Sequence, residues 1–327
     1  MNKVLNLPYR LLIFACAACV SFSVIAAKPL TIAVSRSPLS LPLYVAEENG
    51  YFAEEGLLVR FNEVSGGHRA MQSMLAGKSD LATVSETVVM FHSFKRNDFA
   101  ILSSFVNSND DIKLVTRVNS GISNVSGLAG KCIGTSLTSA SHYYLDTLLL
   151  LSGVDHDKVK IIDLQPESMS RSLQNGEVDA VVVWEPYPYE ILAHIKDARI
   201  LPVHRFYTLT FNLVASRKFI DGHHDETMAK LLIALDHAEK FIAAEPEKAQ
   251  AILRDRLGLA QTFVEWIWPR YNFRLALDQS LLSTLESEAR WSSAHDHIKT
   301  GKSPNYLDFV YSRPLRRALP GATNITE

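Results

Sequence analysis

From residue 29 onward, short apolar runs rich in β-branched residues alternate with runs whose apolar positions recur at helical spacing. Residues 29–35 read as a strand, and the amphipathic run 41–49 that follows ends at Gly50. Residues 51–56 make a further helical turn, 57–63 a strand, and 68–76 a helix stopped by Gly77. The alternation continues with a strand over 80–84 and a helix over 85–94, followed by strand-like runs at 99–105 and 112–118. It restarts with strands at 131–134, 159–164 and 179–183, separated by helices opening at Ser139 and Glu167, and one more strand covers 211–216. Beyond that point the pattern is helical, over 227–244, 246–257, 261–268 and 277–291. Such alternation predicts an α/β chain whose sheets are mostly parallel and covered by helices on both faces.

One junction stands out. Thr135, Ser136, Thr138, Ser139 and Ser141 place five hydroxyls within seven residues, between an apolar strand and an apolar helical run that stops at Gly153. A helix starting there aims its free N–H groups over the strand tip, a place suited to a small anionic or polar ligand. A plain Ser/Thr cap is the competing reading. An internal echo adds weight: Gly77…Asp80…Val84-Ser-Glu86 and Gly176…Asp179…Val183-Trp-Glu185 share one spacing. In each copy the glycine closes a helix, the aspartate opens a strand, and the glutamate falls just past the strand's end.

Composition narrows the class. The chain has 327 residues, 47% of them apolar, and 33 basic against 35 acidic residues, which leaves no basic excess for a nucleic-acid partner. Residues 1–27 carry Lys3 and Arg10 ahead of an acid-free apolar run ending in small residues, the layout of a cleaved secretory signal. Cys16 and Cys19 lack the usual lipoprotein context, so a lipid anchor is the weaker expectation. Beyond residue 27 only Cys132 remains, read as strand core, so no internal disulfide is expected. The His223-His224-Asp225 cluster precedes an amphipathic helix and is not read as a metal site, and no cofactor is expected.

Several stretches resemble the periplasmic solute-binding proteins of ABC importers for nitrate, sulfonates, taurine and thiamine-pyrimidine precursors. They are residues 42–56, the turn 76–80, residues 127–134, and Gly176-Glu-Val-Asp-Ala with Trp184-Glu-Pro186. The resemblance covers roughly 28–220. It implies a two-lobed, type II periplasmic binding protein fold with crossover strands near 112–118 and 208–216. The first lobe is then 28–115 with 212–327, and the second 116–211. It also implies a monomeric periplasmic binder that delivers its ligand to the importer's membrane subunits. Two alternatives remain open, a sensor's binding protein and an enzyme like the pyrimidine synthases that resemble the same fold.

Ligand contacts are expected from loops after the strands. Ser37, Pro38, Tyr44, Gly66, Gly67, His68, Ser85 and Glu86 come from the first lobe. Thr138, Ser139, Ser141, His142, Trp184 and Glu185 come from the second, with Tyr207, Phe211 and Asn212 near the returning crossover. The hydroxyl-rich turn favours a sulfonate or nitrate. Two cleft carboxylates would repel such an anion and favour an amine or an aminopyrimidine stacked on Trp184, and the balance leans to the latter.

Overall fold

The computed structural model describes residues 29–295, 297–298 and 303–326. The expected secretory segment 1–27 lies outside them. Eleven strands form two sheets among the described residues. The first sheet contains β1 (Leu30–Ser35), β2 (Val59–Val64), β3 (Leu81–Ser85), β4 (Phe99–Ser108), β10 (Leu209–Ser216) and β11 (Asn272–Ala276), in the order β11-β4-β10-β3-β1-β2. The second contains β5 (Ile112–Arg117), β6 (Cys132–Thr135), β7 (Lys160–Asp163), β8 (Ala180–Trp184) and β9 (Ala198–Ile200), in the order β7-β6-β8-β5-β9.

The trios β2-β1-β3 and β7-β6-β8 are parallel, as the strand–helix alternation requires, because each crossover runs through a helix. The remaining strands join antiparallel, so each sheet is mixed. Central strands such as β1, β3 and β8 are buried along almost their whole length, which is why they read as continuous apolar runs. The chain leaves the first sheet after Ser108, enters the second at Ile112, and returns between Ile200 and Leu209. Residues 112–115 therefore pair in the second sheet and 209–211 in the first, each on the opposite side of the division drawn from the sequence.

The internal echo is a repeated structural device. Gly77 and Gly176 take left-handed φ of 71° and 73° at the ends of their helices. Asp80 Oδ2 then accepts hydrogen bonds from the Thr31 N–H at 2.9 Å and hydroxyl at 2.7 Å. In the other sheet, Asp179 Oδ2 accepts from the Cys132 N–H at 2.8 Å. Both carboxylates thus dock the start of a central parallel strand, and each sheet keeps its register through the same residue. Cys132 itself is half-buried at the first position of β6 rather than in the core, because that end of the strand is open to solvent.

Asp80→Ala removes two of these bonds and leaves a backbone donor without its partner, so it should lower stability by about 1–3 kcal/mol. Asp179→Ala, which removes one such bond, to the Cys132 N–H, should cost about 1 kcal/mol or less. Urea unfolding of the two variants checks the order.

Candidate functional site

Ser35 lies opposite Val64 in the parallel pair β1–β2, and Ser85 lies opposite Phe211 near the start of β10. The C-terminal end of β3 therefore borders the returning crossover, residues 201–208, with the ends of β1 and β2 next along the sheet. In the second sheet Trp184 lies opposite Ile112, the first residue of β5, so the end of β8 borders the other crossover, residues 109–111. The strand-end loops after β3 and β8 thus lie beside these two connections.

Three helices start at the first sheet's edge. The helix Pro38–Ser40 is capped by Ser37, whose Oγ accepts from the Leu39 N–H at 3.2 Å. The helix Gly67–Leu75 begins hard against β3: a Cβ on Gly67 would lie 3.2 Å from the Val84 Cα, so any larger residue would have to push this backbone back by a few tenths of an ångström. Exposed Gly66 carries φ 82° and provides no side-chain cap for the first N–H groups of the helix. His68, also exposed, lies 2.9 Å from Gln72 through its Nε2. Ser85 sits half-buried at the start of the helix Glu86–Ser93 and makes no side-chain cap bond.

At the second sheet's edge, the helix Ala140–Leu151 starts after Ser139, again without a side-chain cap bond. The Ser139 Oγ donates to the Ser136 carbonyl at 2.6 Å, and Ser139 and Ser141 hydroxyls meet at 2.9 Å. The hydroxyls thus shape the turn without capping the helix, whose His142 N–H donates to the Ser139 carbonyl at 3.1 Å. Thr138 is exposed with φ 55°, and Trp184 is half-buried with Tyr187 edge-on at 6.5 Å.

Other expected contacts turn inward. Glu86 is fully buried and accepts from the Tyr207 hydroxyl and from the Thr210 N–H at 2.8 Å and Oγ1 at 3.1 Å. Glu288, equally buried, accepts from the Thr87 hydroxyl at 2.6 Å. Burial pushes the Glu86 carboxyl up to about 7 against its hydrogen bonds, and burial and the Glu86 charge push Glu288 well above the carboxylate range. Glu185 accepts from the Trp266 indole N–H at 2.8 Å and from the Tyr189 N–H at 3.3 Å, with the Lys113 Nζ at 2.9 Å. These carboxylates are committed to protein partners, which corrects their assignment as ligand groups.

The same correction applies elsewhere. Tyr44 is core, its hydroxyl 3.4 Å from the Ser35 carbonyl. Phe211 packs edge-on against Phe105, and Asn212 accepts from the Ser104 hydroxyl at 2.7 Å inside the sheet. Ser141 and His142 are buried, and His142 is held down to about 4, chiefly by burial. Pro38 is buried within its turn, and Tyr207 is a buried anchor of the crossover. In the His223-His224-Asp225 cluster, His224 stacks on Phe219 and Asp225 accepts from the Tyr311 hydroxyl at 2.6 Å.

Sequence reading missed Arg36. It follows β1 directly, its side chain is 54% exposed, and its Nε is 3.7 Å from Glu63. Its neighbours Ser35 and Ser37 were the available signal. With both cleft glutamates turned inward, Arg36 and the uncapped helix starts give this edge a positive character.

Two mixed α/β sheets linked by two crossovers define the two-lobed periplasmic binding protein fold. The solved periplasmic aliphatic sulphonate binding protein SsuA of Escherichia coli shares it, with TM-score 0.74 at 16% identity over 87% of this chain and 97% of that one. So does the desulfurization enzyme DszB, with TM-score 0.65 at 16% identity over 90% and 99% of the two chains. The chain belongs to the NMT1/THI5-like family, whose model matches residues 37–249. A putative aliphatic sulfonates-binding protein of Bacillus subtilis is 32% identical over 203 residues, covering 59% of this chain and 59% of that protein's length.

The Glu86 carboxyl has a sharp consequence. Its folded value, about 7, lies above the ordinary 4.5, so the fold favours the protonated form. The stability it contributes is complete below about 4.5 and is lost as pH rises through about 7. Glu86→Gln should flatten the fall in unfolding free energy across this window, measured by urea titration at a series of pH values.

Proposed function

We propose that the chain is an extracytoplasmic solute-binding protein of an ABC importer, and that it captures a small organic anion of the sulfonate class between its two lobes. The lobes are residues 29–108 with 209–326, and residues 112–200. The supporting observation is that each sheet is followed by a helix starting without a side-chain cap, at Gly67 and at Ala140, with Arg36 directly after β1 and with Glu86 and Glu185 engaged inside the protein.

A sulfonate presents three acceptor oxygens and a spread negative charge, which suit several N–H donors and a guanidinium. Each charge-assisted hydrogen bond is worth about 1.5–3 kcal/mol net. The half-buried Trp184 ring would then carry the organic part of the ligand. The earlier leaning to an aminopyrimidine rested on two cleft carboxylates, and both are occupied elsewhere. The name of the Bacillus subtilis relative supports the sulfonate and a binding role rather than turnover. Of the expected contacts, Ser37, Gly66, Gly67, His68, Ser85, Thr138, Ser139 and Trp184 are the ones this reading keeps, because each is exposed or half-buried just after or at the end of a strand, and Arg36 joins them. Export through the segment 1–27, a monomeric state and delivery to membrane subunits complete the reading. Among the described residues no helix is long and apolar enough to cross a membrane.

A thermal-shift panel of alkanesulfonates, taurine, nitrate and aminopyrimidines tests the ligand class. A bound compound at a hundred times its Kd adds about 2.7 kcal/mol of stability. Sulfonates should stabilise the protein, and Arg36→Ala should weaken their binding about tenfold or more in calorimetric titration. Stabilisation by an aminopyrimidine with no response to any sulfonate would reverse the assignment.

A further inference from the structure

Behind the strand-end loop 136–139, where the helix Ala140–Leu151 meets the end of the helix Gln279–Ala294, imidazoles gather around one buried carboxylate. We infer that His142, Asp146 and His297 form a transition-metal site of the zinc type that straddles the two lobes, with His156 at its solvent side. One ligand atom from each of the first three lies within 4.8 Å of the others. His142 and Asp146 stand four residues apart on one helix, so both project from the same face. The His142 and His297 rings have centroids 4.7 Å apart.

The carboxylate is the second, independent observation. Asp146 is 6% exposed, and its Oδ1 takes no hydrogen bond among the described residues. The His156 Nε2 lies 3.4 Å from this oxygen, on a side chain 44% exposed to solvent, which gives an ion a way in. The other oxygen, Oδ2, accepts from the Trp291 indole N–H at 2.8 Å and lies 3.7 Å from the His142 Nε2. That indole bond holds the carboxylate in place, as outer groups do around metal ligands. The donor set, imidazole nitrogen with one carboxylate, suits zinc and disfavours magnesium, which prefers oxygen.

Loading requires two adjustments. Zinc–ligand bonds are about 2.0–2.2 Å, so the ligand atoms must draw together by roughly 1 Å. In the His142 ring the Nδ1 accepts from the Thr138 N–H at 3.3 Å, which leaves the proton on Nε2. Metal bound at Nε2 displaces that proton, and the neutral ring carries its hydrogen on Nδ1, so the long Thr138 contact is given up. Because His142 and Asp146 belong to the second lobe and His297 to the first, the ion would tie the lobes at this edge.

Calorimetric titration of the tag-free, chelator-treated protein with zinc chloride tests the site. One equivalent should bind with a Kd on the order of 1 μM or tighter, and magnesium should not compete. His142→Gln in one lobe and His297→Ala in the other should each weaken zinc binding about tenfold or more. Circular dichroism and thermal melting establish that each variant is folded. If His142→Gln destabilises its buried surroundings, His297→Ala still decides, because it lies beyond the helix. Absence of saturable one-equivalent binding by the wild type overturns the site, as does wild-type zinc affinity in a folded His297→Ala variant.

Discussion

The junction of the two lobes depends on an ion pair held almost out of reach of water. Lys113 Nζ lies 2.9 Å from Glu185 Oε1, and the two side chains are 3% and 0% exposed. Removing either member would strand a buried charge, at a cost of about 3–5 kcal/mol. The pair is completed from the other lobe, because the same Glu185 oxygen accepts the indole N–H of Trp266 at 2.8 Å. The crossover beside it is gripped by the first lobe as well. Tyr271 donates to Asp111 at 2.7 Å, and the Arg270 guanidinium lies 3.0 Å from Asp110. Charge neutralisation and chain connection thus coincide at residues 109–113.

Glu86 occupies the equivalent position of the first sheet and is satisfied in an equivalent way. Its partners, Tyr207 and Thr210, lie on and just after the second crossover. Each parallel trio therefore ends in a glutamate that bonds the connection next to it. The common role of these carboxylates is to fasten connections, and the charge left at the cleft edges comes from helix dipoles and Arg36. A binder built this way offers N–H groups of fixed direction, a suitable complement to an oxyanion.

Backbone-determined features were the legible ones. The alternation of strand and helix was visible because strands covered on both faces must be apolar throughout. The two echoed aspartates were visible because both perform the same strand-docking task. Two strands escaped notice: Ala198–Ile200 has only three residues, and Asn272–Ala276 is half-exposed among helices. The helix Tyr187–His194 was also missed, since Pro188 and two tyrosines near its start blur the apolar period. Glycines and hydroxyls marked the cleft turns, as residues that shape backbone do. The inward turn of the glutamates was not legible, because it depends on distant partners: Tyr207 lies 121 residues from Glu86, and Trp266 lies 81 residues from Glu185. The histidines around Asp146 are likewise gathered from distant segments, His142 and His297 with ring centroids 4.7 Å apart.

The central claim is that one ligand is held by strand-end loops of both lobes at once. Hydrogen–deuterium exchange with and without a saturating alkanesulfonate tests it most directly, because the donors proposed are themselves backbone amides. The account predicts slowed exchange at residues 36–39 and 66–69 of the first lobe together with 138–141 and 184–185 of the second. Protection confined to one lobe, or centred on a surface away from these loops, would contradict it.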